Sequence, residues 1–319
     1  MSSGSHKLSI LIVAYNCAGV LPACLDSLRE NPPSCEYEVV CAENGSTDGT
    51  GDLIRERYPW VRLHRSDRNL GFAGGNMLAA EHASGDLLLL LNPDTVVLPG
   101  ALDSLVGSVL ADASRHIAGA CLMNGDGTFG TAWGDFPTVG WALANTAPWN
   151  RLGLKVRSRS RMGHSCDGIN GVTSVGWVSG ASLLIRRETW DAFGGMDTGY
   201  FLYYEETDLC FRVRAAGGDV VVVPDSHIVH LEGSIVGALS ARQYVWSTES
   251  LIRFLRRNRG PASALVVSAW VVVVNVLLLV LSLPIGLLSR RIRSQRSRYA
   301  ALVRVGLGVK AGPASATAP

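Results

Sequence analysis

Short apolar runs alternate with helical patterns over the first 110 residues of the chain. LSILIVAY (8–15) is rich in β-branched residues and stops at Asn16, as a strand buried on both faces does. Leu21, Leu25 and Leu28 then recur at helical spacing, with Pro22 where a first turn tolerates it. EYEVVCAEN (36–44) reads as a second strand, STDGTGDLIRERY as a capped helix and VRLHR (61–65) as a short third strand. GFAGGNMLAAEHA is a glycine-rich turn entering a helix, DLLLLL (86–91) a fourth strand, and PGALDSLVGSVL (99–110) a helix opened by proline. Strands and helices alternating through short links predict an α/β fold with a doubly wound, mostly parallel sheet.

In such sheets ligands bind beyond the carboxyl ends of the strands. Asn16, Glu43–Asn44 and Asn92–Asp94 all fall at such ends. Any one of them alone is a turn or cap residue; three such edges together mark a site. The stretch 124–176 differs, being rich in Gly, Trp and Asn with weak periodicity. It carries Trp133, Phe136, Trp141 and Trp149, then the basic run RLGLKVRSRSRMGH (151–164), and reads as a long loop or lid. Beyond it, VGWVSGASLLIRR (175–187) predicts one strand with Gly180 at its centre. EETDLCFRVRAAG (205–217) predicts a helix with Leu209, Val213 and Ala216 on one face, and DVVVVP (219–224) a last buried strand.

Charge changes this picture at the C-terminal end. The 319 residues carry a net +2, but residues 251–319 hold eleven bases and no acid, which leaves −9 upstream. An acidic body on a basic tail is no nucleic-acid-binding profile. Gly260–Ser289 contains no charged residue, and a helix of about 20 residues crosses a bilayer core. Arginines on both sides conflict with a single span under the positive-inside rule. The segment is therefore expected at a membrane, with spanning, re-entrant and interfacial seatings open, and a helix buried in protein as the alternative. Seven cysteines include no CxxC pair and are expected to be reduced and mostly structural, as in a reducing compartment. MSSGSHK runs directly into LSILIVAYN, without the pattern of a signal peptide. The expected organisation is a catalytic domain over 1–235, a helical linker over 236–260, a membrane-associated segment over 261–289 and a basic, then flexible, tail over 290–319.

VAYN (13–16), ENGSTDGT (43–50), NLGFAGGN (69–76), LLLNPDT (89–95), SGASLLIRR (179–187), GGMDTGYFLYYEETDLCFR (194–212) and VVVPDSHIVH (221–230) follow one another in order. In that order they resemble family 2 glycosyltransferases of GT-A fold, most closely the rhamnosyltransferase-type branch that builds bacterial cell-surface polysaccharides. The resemblance covers about residues 8–235. It implies an inverting enzyme that uses Mg²⁺ or Mn²⁺ and a nucleotide-diphosphate sugar, with dTDP-rhamnose the leading donor. It also implies a lipid-linked or polysaccharide acceptor at the cytoplasmic face of the cell membrane. The processive Q-x-x-R-W motif of the wider family is absent, so a non-processive enzyme is expected.

By the same resemblance Asp94 holds the cation, since a hard cation bound to diphosphate wants carboxylate oxygen. Asn92 stands where the family's D-x-D motif has its first aspartate, so the motif here reads N-P-D. His230 is the second ligand, with His227 close enough in sequence to be confused with it. Ala14, Asn16 and Asn44 map to the nucleotide side of the site, and Glu43 maps to the acid that meets the base. Arg68 is expected at the diphosphate, Asn69 as a holder of its loop, and the Gly74 turn as a phosphate-binding helix start. Asp48 is expected to be a residue of a helix N-terminus. Glu206, the second acid of the pair Glu205–Glu206, maps to the base that deprotonates the acceptor hydroxyl; Asp208 is its rival, and Arg212 a partner for one of the acids. Phe201, Tyr203 and Tyr204 are aromatics that could face a sugar. Two other readings share these residues: a sugar nucleotidyltransferase, and a non-catalytic nucleotide-sugar-binding partner of a membrane assembly.

Overall fold

The computed structural model describes residues 6–146, 163–231, 241–286 and 290–311. The alternation of the first 110 residues becomes β1 (Lys7–Ala14), α1 (Leu21–Glu30), β2 (Glu36–Glu43), α2 (Thr50–Arg57), β3 (Arg62–Arg65), α3 (Gly71–Glu81), β4 (Leu87–Leu91), β5 (Thr95–Val97) and α4 (Ala101–Leu110). β3, β2, β1 and β4 lie side by side and parallel. All five leucines of β4 are buried, and so is β1 from Leu8 onward. Strands buried on both faces read as unbroken apolar runs, which is what these two are.

The second half adds β6 (Arg115–Met123), β7 (Trp133–Gly134), α5 (Val139–Asn145), β8 (Thr173–Ser174), β9 (Trp177–Val178), β10 (Ser182–Arg186), α6 (Arg187–Phe193), α7 (Glu205–Ala215) and β11 (Asp219–His230). β10 inserts antiparallel between β4 and β6. The main sheet then runs β3-β2-β1-β4-β10-β6-β11-β5, with β8 paired to β11. The strand expected over 175–187 is two strands. β9 pairs with β7 in a small second sheet, β10 joins the main one, and the chain changes sheets at the Gly180–Ala181 turn. A methyl at Gly180 would meet the Phe72 ring at 3.0 Å, so the missing side chain permits this crossing. In α7, Leu209 and Val213 are buried but Ala216, expected on the same face, is exposed beyond the helix. β11 runs six residues further than expected, past an irregularity between Val223 and His227.

The cysteines are not all reduced. Cys121 on β6 and Cys166 are bonded to each other, across 45 positions, while Cys17, Cys24, Cys35, Cys41 and Cys210 are free. Sequence spacing could not reveal this pair, because only the fold brings β6 against the far end of the 124–166 stretch.

Residues 241–258 do more than link. α8 (Ala241–Asn258) lays Phe254, fully buried, edge-on to Phe211 at 5.7 Å and beside Phe136 and Tyr204. Arg253 grips Asp197 at 2.7 and 2.8 Å, and Asn258 donates to Asp208 at 2.8 Å. α9 (Pro261–Gly286) and α10 (Arg290–Gly306) follow, the latter a helix where a basic and flexible tail was expected. Gly306, ending α10, lies against Ser268 and Val272 in the first half of α9, so the two helices run antiparallel. Pro261–Ser282 is the one helical stretch, among the described residues, long and apolar enough to cross a membrane. One face of it, including Ala264, Val267 and Val271, is buried in a cluster with residues of α8 and α10. The other face is bare: Leu265 is 70% exposed and Leu281 66%, with Val273 and Leu277 between them. Trp149, the basic run 151–161 and the end of the tail lie outside the described residues.

Because Phe254 is the anchor of α8, Phe254→Ala is expected to lower stability by about 3–5 kcal/mol. Urea unfolding of detergent-solubilised protein measures it. A loss below about 1 kcal/mol would mean that α8 is only loosely attached.

Candidate active site

β4 ends in Asn92-Pro93-Asp94, and the turn is fastened from several sides. The Asn92 N–H donates to the Ala181 carbonyl at 3.0 Å, and its own carbonyl accepts the Thr95 hydroxyl at 2.7 Å. β5 pairs antiparallel with the end of β11, in a register that sets His230 opposite Thr95. As a result His230 Nε2 stands 3.1 Å from Asp94 Oδ2, and the Leu231 N–H donates to the Asp94 carbonyl at 2.8 Å. Asn92 Nδ2 lies 3.4 Å from the same imidazole nitrogen. His227 is directed elsewhere, with its ring beside Phe129.

This donor set suits a divalent cation. Adjacent ligands of an octahedral ion bound at about 2.1 Å stand about 3 Å apart, and the carboxylate oxygen and imidazole nitrogen are separated by 3.1 Å. Among the described residues no cluster of three or more His, Cys, Asp or Glu surrounds one point. The other coordination positions therefore fall to phosphate oxygens and water, as Mg²⁺ and its kin accept.

The ends of β1 and β2 supply the neighbouring wall. Asn16 takes a left-handed conformation, φ 47°, which asparagine tolerates better than most residues. Its side-chain carbonyl accepts the Thr47 N–H at 2.8 Å, and its N–H donates to Ser46 Oγ. Asp48 accepts from Ala18 and Thr50 amides and from the Thr50 hydroxyl, which locks the start of α2 to the loop after β1. Burial raises the Asp48 pKa, but these hydrogen bonds outweigh it and leave the carboxyl below its usual range. Ala14 is buried, and its carbonyl accepts the Asn44 N–H at 2.8 Å.

Three expectations on this wall need correction. Glu43 is only 1% exposed, with one oxygen accepting the Ser46 N–H and the other 3.1 Å from Arg65 Nε. It braces the loop, and its carboxylate is closed to a nucleobase by Ser46 and Arg65. The start of α3 is also taken up. The Leu70, Gly71 and Phe72 amides donate to Asn44 Oδ1, Asn69 Oδ1 and the Phe201 carbonyl. A helix end whose amides already have partners offers phosphate little. Gly71 has φ +76°, and a Cβ there would be 2.2 Å from the Phe201 carbonyl oxygen, so only glycine allows this docking. Gly74 makes room for Leu70 and faces a groove between α3 and α6. Asn69 sits in the loop bonded to Asn44 at 3.1 Å, and Asn44, expected on the nucleotide side, is buried with its side chain taken by Asn69, the Gly71 carbonyl and the Leu70 N–H. Arg68 is exposed, with a guanidinium that makes no hydrogen bond or ion pair among the described residues.

The acids sit across the Gly180–Ala181 turn. That turn receives Asn92 on one side, while a methyl at Gly180 would stand 3.7 Å from Glu206 Cβ on the other. Immediately before α7, Tyr203 and Tyr204 both hold left-handed conformations, φ 70° and 68°. Such a pair of bulky residues persists only where surrounding structure over-determines it, at about 1–3 kcal/mol each, and such strain clusters at functional sites. Here it turns Glu205 and Glu206 to begin the helix together. Glu205 is buried, and its Oε2 has no hydrogen-bond partner among the described residues. Burial, and then the Glu206 charge, push its pKa well above the usual carboxylate range. Glu206 is half-buried, and burial pushes its pKa up to about 7. That value suits a base working near neutrality.

Asp208 is no base. It is fully buried, paired with Arg212 at 2.8 Å and Arg257 at 3.4 Å, and receives hydrogen bonds from Tyr200 and Asn258. Arg212 thus has an acid partner, as expected. Tyr204 is buried beside Phe254, Phe201 lies against Trp246 at 4.9 Å, and Tyr203 is partly buried against the same hydrophobic cluster. Sequence reading missed Arg65, Arg257 and Asn258, whose partners are distant in sequence.

Asp208→Ala, which strands Arg212 in the interior, is expected to cost about 3–5 kcal/mol of stability. Glu206→Gln is expected to cost nothing above pH 7. A pKa raised from the ordinary 4.5 to about 7 in the folded state means that Glu206 costs stability progressively as pH rises from about 4.5 to 7, and that the cost is complete above 7. Thermal unfolding of both variants at pH 6 and 8 measures the difference; a destabilised Glu206→Gln at pH 8 would contradict the assignment.

Comparison with known proteins bears on the family and the fold. Residues 9–172 match the family described as Glycosyl transferase family 2. The chain is 31% identical over 247 residues to the N-acetylglucosaminyl-diphospho-decaprenol L-rhamnosyltransferase of Mycobacterium tuberculosis, covering 72% of this chain and 78% of that protein. A mannosyltransferase from Pyrobaculum calidifontis, solved with GDP-Man and Mn²⁺, superposes with a TM-score of 0.56 at 14% identity, over 96% of this chain and 88% of that one. GalNAc-T7, solved with UDP, GalNAc and Mn²⁺, gives 0.57 at 17% identity, over 80% of this chain and 48% of that one.

Proposed function

The chain belongs to glycosyl transferase family 2, and from that premise we propose that it is an inverting, non-processive transferase of rhamnose from dTDP-rhamnose to a lipid-linked glycan. The GT-A fold and glycosyltransferase class follow from the family. The observation that carries the finer reading is the Asp94–His230 pair at 3.1 Å on one side of the Gly180–Ala181 turn, with Glu206 on the other. One half-buried base and one cation site suit a single displacement. The acceptor hydroxyl gives its proton to Glu206 as its oxygen bonds to the anomeric carbon of the donor. The bond from that carbon to the diphosphate oxygen breaks, and the electron pair leaves with the diphosphate. Asp94 and His230 would hold a divalent cation, Mg²⁺ or Mn²⁺, which would supply positive charge to offset that of the leaving group; exposed Arg68, with no ion pair among the described residues, is a further candidate cation for the diphosphate. With Asp208 locked to Arg212 and Glu205 buried, Glu206 is the least buried acid of the first turn of α7, which favours a single, inverting displacement. Rhamnose and a diphospholipid-linked acceptor are supported by the name of the mycobacterial relative.

The apolar face of α9 supports work at a membrane surface. Its other face is occupied by α8 and α10, so a seat along the interface suits the helix better than a crossing. That seat also resolves the conflict of arginines on both sides, which then meet anionic headgroups of the cytoplasmic leaflet.

Detergent-purified protein is expected to hydrolyse dTDP-rhamnose slowly with Mg²⁺ or Mn²⁺, in preference to UDP and GDP sugars, and to stop in EDTA. Asp94→Ala and His230→Ala are each expected to weaken the cation requirement's half-saturation by about 10-fold or more. No hydrolysis of any donor, together with no nucleotide binding by calorimetry, would overturn the reading and favour a non-catalytic partner.

The base has its own signature. Transfer is expected to rise with pH through a midpoint near 7, where Glu206 loses its proton. Glu206→Gln is expected to lower kcat about 10²–10⁴-fold while nucleotide binding is kept. A pH profile unchanged by the substitution would remove Glu206 from the mechanism.

A further inference from the structure

A cavity of about 310 Å³ lies away from the cation site, between the loop at 198–201, α8 and the residues that follow α10. Arg253, Arg256 and Lys310 line it, facing Phe201, Trp246 and Val309. We propose that this cavity binds a phosphoryl group carried on an isoprenoid lipid, and that it holds the acceptor's diphosphate while its sugar reaches Glu206; the acceptor role rests on the function proposed above.

The charges are arranged for an anion. Arg253 is committed to Asp197 and lies over the Tyr200 ring. Arg256 and Lys310 are exposed and make no hydrogen bond or ion pair among the described residues. The one acid in the lining is Glu249, whose carboxylate already accepts the Ala311 N–H at 3.0 Å. Lys310 and Arg253 act on the Glu249 charge, yet three bases against this one acid leave the lining net positive. Charge-assisted hydrogen bonds to phosphate are the strong contacts such groups make.

The surroundings are arranged for a lipid. Leu307 is 68% exposed and Val309 47%, directly beside the cations in sequence. Gly306 rests on Ser268, which brings this rim to the start of α9, where Leu265 and Val266 are exposed. A free anion would need the cations alone; an amphiphile with an anionic head needs both. The cavity is also coupled to the catalytic loop. Phe201 in its wall binds the Phe72 N–H through its carbonyl, and Ser250 in its lining donates to the Leu202 carbonyl at 2.9 Å. Three residues further on, the chain reaches Glu205 and Glu206.

The full chain in detergent would be titrated with farnesyl diphosphate, followed by tryptophan fluorescence, with Trp246→Phe identifying the responding ring. Saturable binding is expected, weakened about tenfold or more in Arg256→Ala/Lys310→Ala by loss of two charge-assisted contacts. Pyrophosphate is expected to bind at least about tenfold more weakly than farnesyl diphosphate, through loss of the buried apolar tail. Flotation with phosphatidylglycerol vesicles separates the two sources of lipid phosphate. A variant that loses vesicle binding but keeps farnesyl diphosphate affinity would assign the cavity to bilayer headgroups and overturn the acceptor role. Equal farnesyl diphosphate affinity in both proteins with vesicle binding also unchanged, or pyrophosphate binding as tightly as farnesyl diphosphate, would overturn the site. Donor hydrolysis is measured in the same preparations of the unsubstituted chain. Tight farnesyl diphosphate binding without any donor hydrolysis would sink the transferase reading while leaving the cavity assignment standing.

Discussion

A strand covered on both faces has nowhere to put polar side chains except its end. β1, β2 and β4 obey that constraint side by side, so their terminal residues meet at one edge of the sheet. The edge alone supplies a single uncompensated acid, Asp94. What completes it is the antiparallel ladder between β5 and β11, which returns the chain to the same place and sets an imidazole against that acid. Backbone pairing fixes the separation of Asp94 and His230 here, and the side chains need adjust only their rotamers. A site built in this way inherits the rigidity of the sheet.

That division explains what could be read in advance. The parallel half of the sheet was legible because its strands are continuous apolar runs separated by cap and turn residues. Asp94, His230 and Glu206 were legible through their motifs, and the structure does bring the first two together. The β9–β10 crossing was not legible, since Gly180 looks the same in the centre of a strand and at a change of sheet. Nor was the fate of Glu43: only the fold reveals that Arg65 and Ser46 close over it. Asp208 was misjudged for the same reason. Its partners Arg257 and Asn258 arrive from α8, and nothing local to the acidic run announces them.

The fate of the α3 terminus is a further case of competition between ligands. Its amides look available for an anion in any local reading, yet Asn44, Asn69 and the Phe201 carbonyl have claimed them. This use of the helix end ties the donor side of the site to the loop that carries the left-handed tyrosines. Movement of that loop would break a buried backbone hydrogen bond, so the orientation of Glu206 and the position of Arg68 are mechanically linked.

The bond between Cys121 and Cys166, with the stacking of Trp133 on His164 at 4.2 Å, pins both ends of the intervening stretch to the body of the protein. The described part of that closed loop is structured: β7 pairs with β9, and Phe136 packs on Phe254 of α8. The covalent bond therefore ties three bodies with one link, the main sheet through β6, the small sheet through β7 and the helical layer through Phe136. Reduction would loosen the latter two from each other while the parallel strands, whose pairing does not pass through either cysteine, keep their edge.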